Sequence, residues 1–350
     1  MTRATVAAFA GLVFWGGPGC RCDRNPRGTP PASAPVSSAP STATAPSANK
    51  PPPGAEEPWP ELTWYRWVRE SLRPVPKPVD TVRQRLPHSL SGGSGFVDEP
   101  ESWTEWLRLL PLAAPGTPVR NHRGEVIVPG EDEHLAAVGA LDVGERDLQQ
   151  SADVVLRLHA EWRWFVNDLR MMYRSDTGVA LPLERWRSGD RLVTRAGQPT
   201  WERQAAPKPK LDYADFRAYL DSVFAWSDAR ALLAESAPLA PEALAPGAFF
   251  LHQGPPAQLL VVLDVAANSS GKRAMLLAQA LNPAENLHVL RYSRDSAWFP
   301  VRPDQPVRVP RVRPYSWKEL RRLQTLRSRP EVECIGSLCP QGPPAPATTD

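Results

Sequence analysis

The stretch Ala248-Phe-Phe-Leu-His-Gln-Gly254, continued after Pro255-Pro256 by Gln258-Leu-Leu-Val-Val-Leu-Asp264-Val265, decides the fold. A polar turn, Asn268-Ser-Ser-Gly271-Lys272, leads into a second apolar run, Ala274-Met-Leu-Leu-Ala-Gln279-Ala-Leu281. A third run, Leu287-His-Val-Leu290, closes the segment. Two runs of strand length around a glycine-containing loop read as a β-hairpin. Both are apolar on nearly every residue, so both faces are expected to be covered, as in a central sheet. The fold class predicted is α+β, with residues 258–281 in the middle of an antiparallel sheet.

Helices are expected outward from this centre. Asp147 with Gln150 resembles a capping box, and the apolar stripe Val155, Leu158, Trp162, Val166, Leu169, Tyr173 keeps the helical period. The spacing predicts one helix over 147–173, packed across the sheet, with Ser151 in its first turn. His159 falls off the stripe and is expected on the surface. A second helix is predicted over 212–234 and a short last one over 317–326.

The chain has 350 residues and 41 prolines, which crowd into the first 60 residues and the last dozen. Without those tails about 280 residues remain, enough for one domain with a real core. The formal charge of +3 gives no reason to expect nucleic acid. Arginines gather late, at Arg302, Arg308, Arg311 and Arg313. They read either as a salt-paired surface or as contacts for lipid headgroups or acidic glycans. Most of the thirteen tryptophans are expected in the core, with a sugar-stacking groove as the other use.

Residues 1–20 read as an export signal: Arg3, an apolar run from Thr5 to Trp15, then Gly16-Gly-Pro-Gly-Cys20. A small residue directly before Cys is what lipoprotein processing requires, although Gly17 stands where Leu is usual. Cys20 is therefore expected to carry lipid, with simple secretion as the alternative. Residues 21–58 are rich in Pro, Ala, Ser and Thr, too poor in apolar bulk to offset ordering, and are expected to form a disordered tether. One folded domain over 59–335 and a tail over 336–350 follow. Cys334 and Cys339, with four residues between them in an exported chain, are expected to form a disulfide. Closing so short a loop contributes on the order of 2 kcal/mol. No spacing suits a metal, no glycine motif suits a phosphate, and no cofactor is expected.

Blocks along the chain carry a resemblance. They include Trp106-Leu-Arg-Leu-Leu-Pro-Leu112, Asp142-Val-Gly144, Arg146-Asp-Leu-Gln-Gln150, Arg157 with Ala160-Glu161, Phe216-Arg217, Leu276-Leu-Ala-Gln279 and Asn286-Leu-His-Val-Leu290. In this order they resemble the bacterial exported proteins grouped as domain of unknown function 4846. The resemblance implies a papain-like fold of the cell-wall amidase type, with a nucleophile at a helix start and its partners on consecutive strands. It also implies departures. Ser151 stands where the family has Cys, and Gln258 where it has His, while Gln279 and His288 are kept.

A serine hydroxyl needs a base, and an amide cannot supply one. Ser151, Gln258 and Gln279 are thus read as degenerate catalytic positions, with His252 and His288 as possible binding residues. The expected function is binding or scaffolding at the cell envelope by a lipid-anchored monomer, with peptidoglycan or an envelope protein as partner. Two alternatives stand beside it. One is an active amide or peptide hydrolase using Ser151 with an unidentified base. The other is a glycan-binding module.

Overall fold

The computed structural model describes residues 60–88 and 100–324. Cys20, Cys334, Cys339, the export signal and the tether lie outside the described residues. The hairpin forms as its sequence demands. Asn268 N donates to Lys272 O at 3.0 Å, and Asn268 Oδ1 accepts from the Ser270 and Lys272 amides. Gly271 supplies the left-handed residue of the turn, at φ +77°.

Eight strands build the main sheet. They are β1 (Leu135–Val138), β2 (Ser236–Pro238), β3 (Phe249–His252), β4 (Gln258–Ala267), β5 (Arg273–Gln279), β6 (His288–Leu290), β7 (Trp298–Pro300) and β8 (Leu320–Leu323). The order is β2-β8-β3-β4-β5-β6-β1, with β7 also paired to β5, and every pairing is antiparallel. The hairpin 258–281 is thus central, as expected.

Both faces are covered. Leu259, Val261, Leu276 and Ala278 pack with Val154, Val155 and Leu158 of the helix side. Leu260, Val262, Met275 and Leu277 pack on the other side with Val307, Tyr315 and Trp317. A bulge between Val262 and Asp264 breaks the alternation. Asp264 Oδ1 accepts from Arg108 Nε at 2.6 Å, which ties β4 to α1 (Trp103–Arg108).

The long helix α2 is shorter than its stripe predicts, Ser151–Phe165. It starts late because Asp147 turns outward, where its Oδ1 accepts from Ala284 N at 2.6 Å. It stops early because Asn167 takes φ +55°, a conformation asparagine tolerates better than most residues. The chain then runs into a small hairpin, Met172–Arg174 against Ala180–Pro182. The expected helix over 212–234 is two: α3 (Tyr213–Phe224) and α4 (Ala229–Ala234). Asp228 starts the second, its Oδ1 accepting from Arg230 N at 2.7 Å and Ala231 N at 3.1 Å. The last predicted helix is one short turn, Trp317–Glu319, before β8. Leu320 has to pair with Phe250 of β3, so the strand wins there.

Helix α2 is not a surface helix. Every residue from Ser151 to Glu161 is buried, polar ones included. His159, expected outside, is 7 % exposed, and its Nδ1 lies 3.1 Å from the Tyr173 hydroxyl. Burial pushes its pKa down to about 3, with Arg163 adding to the effect. Arg157 is wholly buried and donates to Gln149 Oε1 at 2.8 Å, Asp142 Oδ1 at 2.9 Å and Glu161 Oε1 at 2.7 Å. Tyr213 of α3 donates to Glu161, and Arg217 bonds Asp221 at 2.6 Å. Arg73, from before the sheet, joins the same Asp221. Gly144 takes φ +96°, which L side chains rarely adopt, and a Cβ on it would also sit 3.1 Å from the Arg73 guanidinium.

Candidate functional site

Ser151 is the first residue of α2, where the helix meets the ends of the central hairpin. Its backbone N–H donates to Asn282 Oδ1 at 3.3 Å. Asn282 follows β5 by three residues, so the contact joins the helix start to the strand exit. The Ser151 hydroxyl is buried and has no hydrogen-bond partner among the described residues. It lines a cavity of about 360 Å³ together with Asp147, Asp153, Asp228, Ala257 and Asn282. Among the described residues that line it there is no histidine, lysine or arginine.

The carboxylates there differ. Asp153 is 5 % exposed. Its Oδ2 accepts from Gln150 N at 3.3 Å, while its Oδ1 has no partner among the described residues. Burial raises its pKa well above the usual carboxyl value, and Asp228 pushes the same way. Asp147 is held low: burial opposes ionisation, but the Ala284 amide and His122 favour it.

The other expected site residues are elsewhere. Gln258 pairs with His252 across β4 and β3. Strand alternation places both with Phe250, Leu260 and Val262, on the face turned away from α2. Ala257, one residue earlier, is the residue that faces the cavity. Gln279 shares a face with Met275 and Leu277, again away from α2. Gln279 and His288 are brought together, Nε2 to Nε2 at 3.3 Å. His288 Nδ1 lies 3.1 Å from Asn286 O, which requires the proton on Nδ1 and leaves Nε2 to accept from Gln279. Burial depresses the His288 pKa and keeps it neutral, although Glu285 pulls the other way. Both ring nitrogens are engaged inside the protein. His252 Nδ1 is 3.2 Å from Glu319 Oε1, and Arg313 contacts both. His252 is not among the described residues lining the Ser151 cavity.

Asp153, Asp228, Asn282 and His122 escaped the sequence reading. His122 lies in a neighbouring cleft of about 530 Å³ with Arg73, Arg120 and Asn286. Its Nδ1 sits 4.0 Å from Asp147 Oδ1, an ion-pair distance too long for a hydrogen bond. Nothing in Asn121-His-Arg-Gly124 signals this placement, because it depends on the Ala284 segment 162 residues later. The described tryptophans are packing residues: Trp67, Trp106, Trp186, Trp298 and Trp317 are buried, and Trp64, Trp103, Trp162, Trp164, Trp201 and Trp226 pack partly buried against the core. None appears among the exposed large apolar side chains of the described residues.

A family model, Domain of unknown function (4846), matches residues 91–322 of the 350. The chain belongs to this family. No curated protein and no solved structure matches it. The part matched by the domain of unknown function 4846 model holds α2, the central hairpin and Ser151, so the cavity lies within it. It also holds Asp142, Gln149, Arg157, Glu161 and Arg217 of the buried charge network. Arg73 reaches that network from outside the matched residues.

Proposed function

We propose that this is an exported protein of the bacterial cell envelope, anchored through lipid on Cys20, whose papain-like site binds its ligand without cleaving it. One observation carries the reading: the Ser151 hydroxyl is buried beside a cavity whose lining, among the described residues, has no histidine, lysine or arginine. Serine is a poor nucleophile without a base, and general-base help alone is worth roughly 10²–10⁴ in rate. The papain-like part of the reading rests on placement. A helix start, a strand entry at Ala257 and a strand exit at Asn282 converge on one cavity. Ala257, at the strand entry, lines the cavity with a methyl group that cannot act as a base. Peptidoglycan fragments or an envelope protein are the partners that fit an anchored binder.

A second reading keeps Ser151 as a nucleophile. The observation in its favour is Asp153, whose raised pKa is a property of catalytic carboxyls and which shares the cavity. Incubating the full chain with purified wall fragments separates the two. Retention of fragments with no newly released amines is expected. Hydrolysis that disappears in Ser151→Ala would establish the second reading instead.

A further inference from the structure

The cleft that holds His122 is built on a short antiparallel ladder. Asn121 bridges Glu285, Asn286 N donates to Arg120 O at 2.9 Å, and His122 N donates to Ala284 O at 2.8 Å. Arg120 and His122 flank Asn121 and so share one side of the ladder, with Asn286 paired across from Arg120. All three line the cleft.

Each brings an uncommitted donor. Arg120 gives Nη1 to Gly124 O at 2.7 Å and forms no ion pair among the described residues, which leaves Nε and Nη2. Asn286 Oδ1 accepts from Arg120 N at 2.8 Å, which leaves its amide nitrogen, unbonded among the described residues. The His122 side chain is 8 % exposed. Its Nδ1 is buried without a hydrogen-bond partner, whereas Nε2 is neither closed off nor bonded among the described residues. Asp147, 4.0 Å from Nδ1, is too far to fix the tautomer but near enough to balance the charge of an imidazolium. Arg73 also lines the cleft but is committed to Asp221.

Two carboxylates limit the charge the cleft accepts. Glu145 is in its lining, and Asp147 stands behind the imidazole. Both oppose a dianion such as phosphate more than a monoanion. The remaining wall is apolar, from Pro74, Val75, Pro76, Pro118 and Val143. A singly charged head on an apolar body suits that combination.

We propose that this cleft binds the free carboxylate of a peptide C-terminus, with Arg120, His122 Nε2 and Asn286 Nδ2 as its donors. Nε–H and Nη2–H of a guanidinium form the parallel pair that matches a carboxylate. The proline and valine wall takes the last side chain. A volume of about 530 Å³ is within the range of small-molecule sites. The inference does not rest on the reading of the Ser151 cavity, since none of the three donors lines that cavity.

Calorimetry on the full chain tests it with N-acetyl-alanyl-alanine and its C-terminal amide, each in L,L and D,D form. At least one acid is expected to bind, and its amide to bind about tenfold more weakly or not at all. Arg120→Gln and His122→Gln are each expected to weaken the acid several-fold. Arg195→Gln, which removes an exposed charge outside the cleft, should leave it unchanged. Equal binding of acid and amide, or binding of neither acid, overturns the proposal. Acid binding that survives Arg120→Gln overturns the placement. Inorganic phosphate that binds more tightly than the acids and is lost in Arg120→Gln overturns the choice of a carboxylate. Should His122→Gln lower Tm, the imidazole resonances of His122 in the parent decide its part. They are expected to shift as acid is added and to stay still with amide; no shift with acid overturns the role of His122.

Discussion

Arg157 and Asp142 meet at 2.9 Å with side chains 0 % and 1 % exposed. Fifteen residues separate them, and the pair fastens the centre of α2 to the loop before it. Burial opposes the Asp142 charge, but Arg157 and Arg217 hold its pKa down at about 2.

Removing one partner leaves the other charged and buried. Arg157→Met is expected to cost about 3–5 kcal/mol in urea unfolding, far more than a surface arginine. Asp142 also sets an acid limit. Its folded pKa lies below the ordinary 3.8, so its stabilisation is complete above that value and is lost as pH falls towards 2. The loss amounts to about 2 kcal/mol. In Arg157→Met the loss should move to higher pH; an unmoved acid transition would contradict the coupling.

Glu235 works in the opposite sense. It is 1 % exposed, and burial raises its pKa to about 8 against the opposing effect of Arg174. Between 4.5 and 8 the unfolded chain ionises this group and the folded chain does not. Stability therefore falls as pH rises through that window. Glu235→Gln should be more stable than the parent at pH 8, by a few kcal/mol at most, and nearly equal to it at pH 4.5. A Tm difference independent of pH would show that Glu235 is ionised in the fold.

The resemblance read from the sequence implies a base position at 258, whereas Ala257 and not Gln258 is among the described residues lining the Ser151 cavity. Ser151→Cys should become an abnormally reactive thiol when combined with Ala257→His and stay ordinary when combined with Gln258→His. A histidine beside a helix-start cysteine lowers its pKa from the usual value of about 8.5. Iodoacetamide rates against pH provide the readout. Activation by Gln258→His alone would place the histidine side chain on the other face of β4 and undo the assignment of faces.

The exported state has its own test. Protein isolated from membranes should carry a lipid mass on Cys20 that Cys20→Ala lacks. Non-reducing peptide mapping should recover Cys334 and Cys339 in one linked fragment. Membrane protein without lipid mass, or two free thiols, would count against the respective claim.

The central hairpin was readable because uninterrupted apolar runs such as Leu259–Leu263 suit only a strand covered on both faces. The start of α2 was readable only to within a turn, since Asp147 reads as the cap and Gln150 is the cap. Its end was not, because one left-handed residue, Asn167, overrides the stripe that continues to Tyr173. His159 was misplaced for a related reason. A periodic stripe marks one buried face, but α2 is surrounded, so its polar side is buried too. The Gln258 expectation shows the sharpest limit. Matching by motif carries a residue or so of slack, and in a strand one residue is the difference between two faces. The charge network had no local signal, since Arg73, Asp142, Arg157 and Asp221 are scattered over 148 residues.

Enclosure of α2 on every side has a kinetic consequence. A helix that is covered and ionically fastened has no low-energy route to opening alone, so its amides should exchange with solvent only when the whole domain unfolds. Ser151 and Asp153 stand on the first turn of that helix. A ligand arriving there does not have to order the wall it binds, because the entropy of arranging it was already lost when the chain folded.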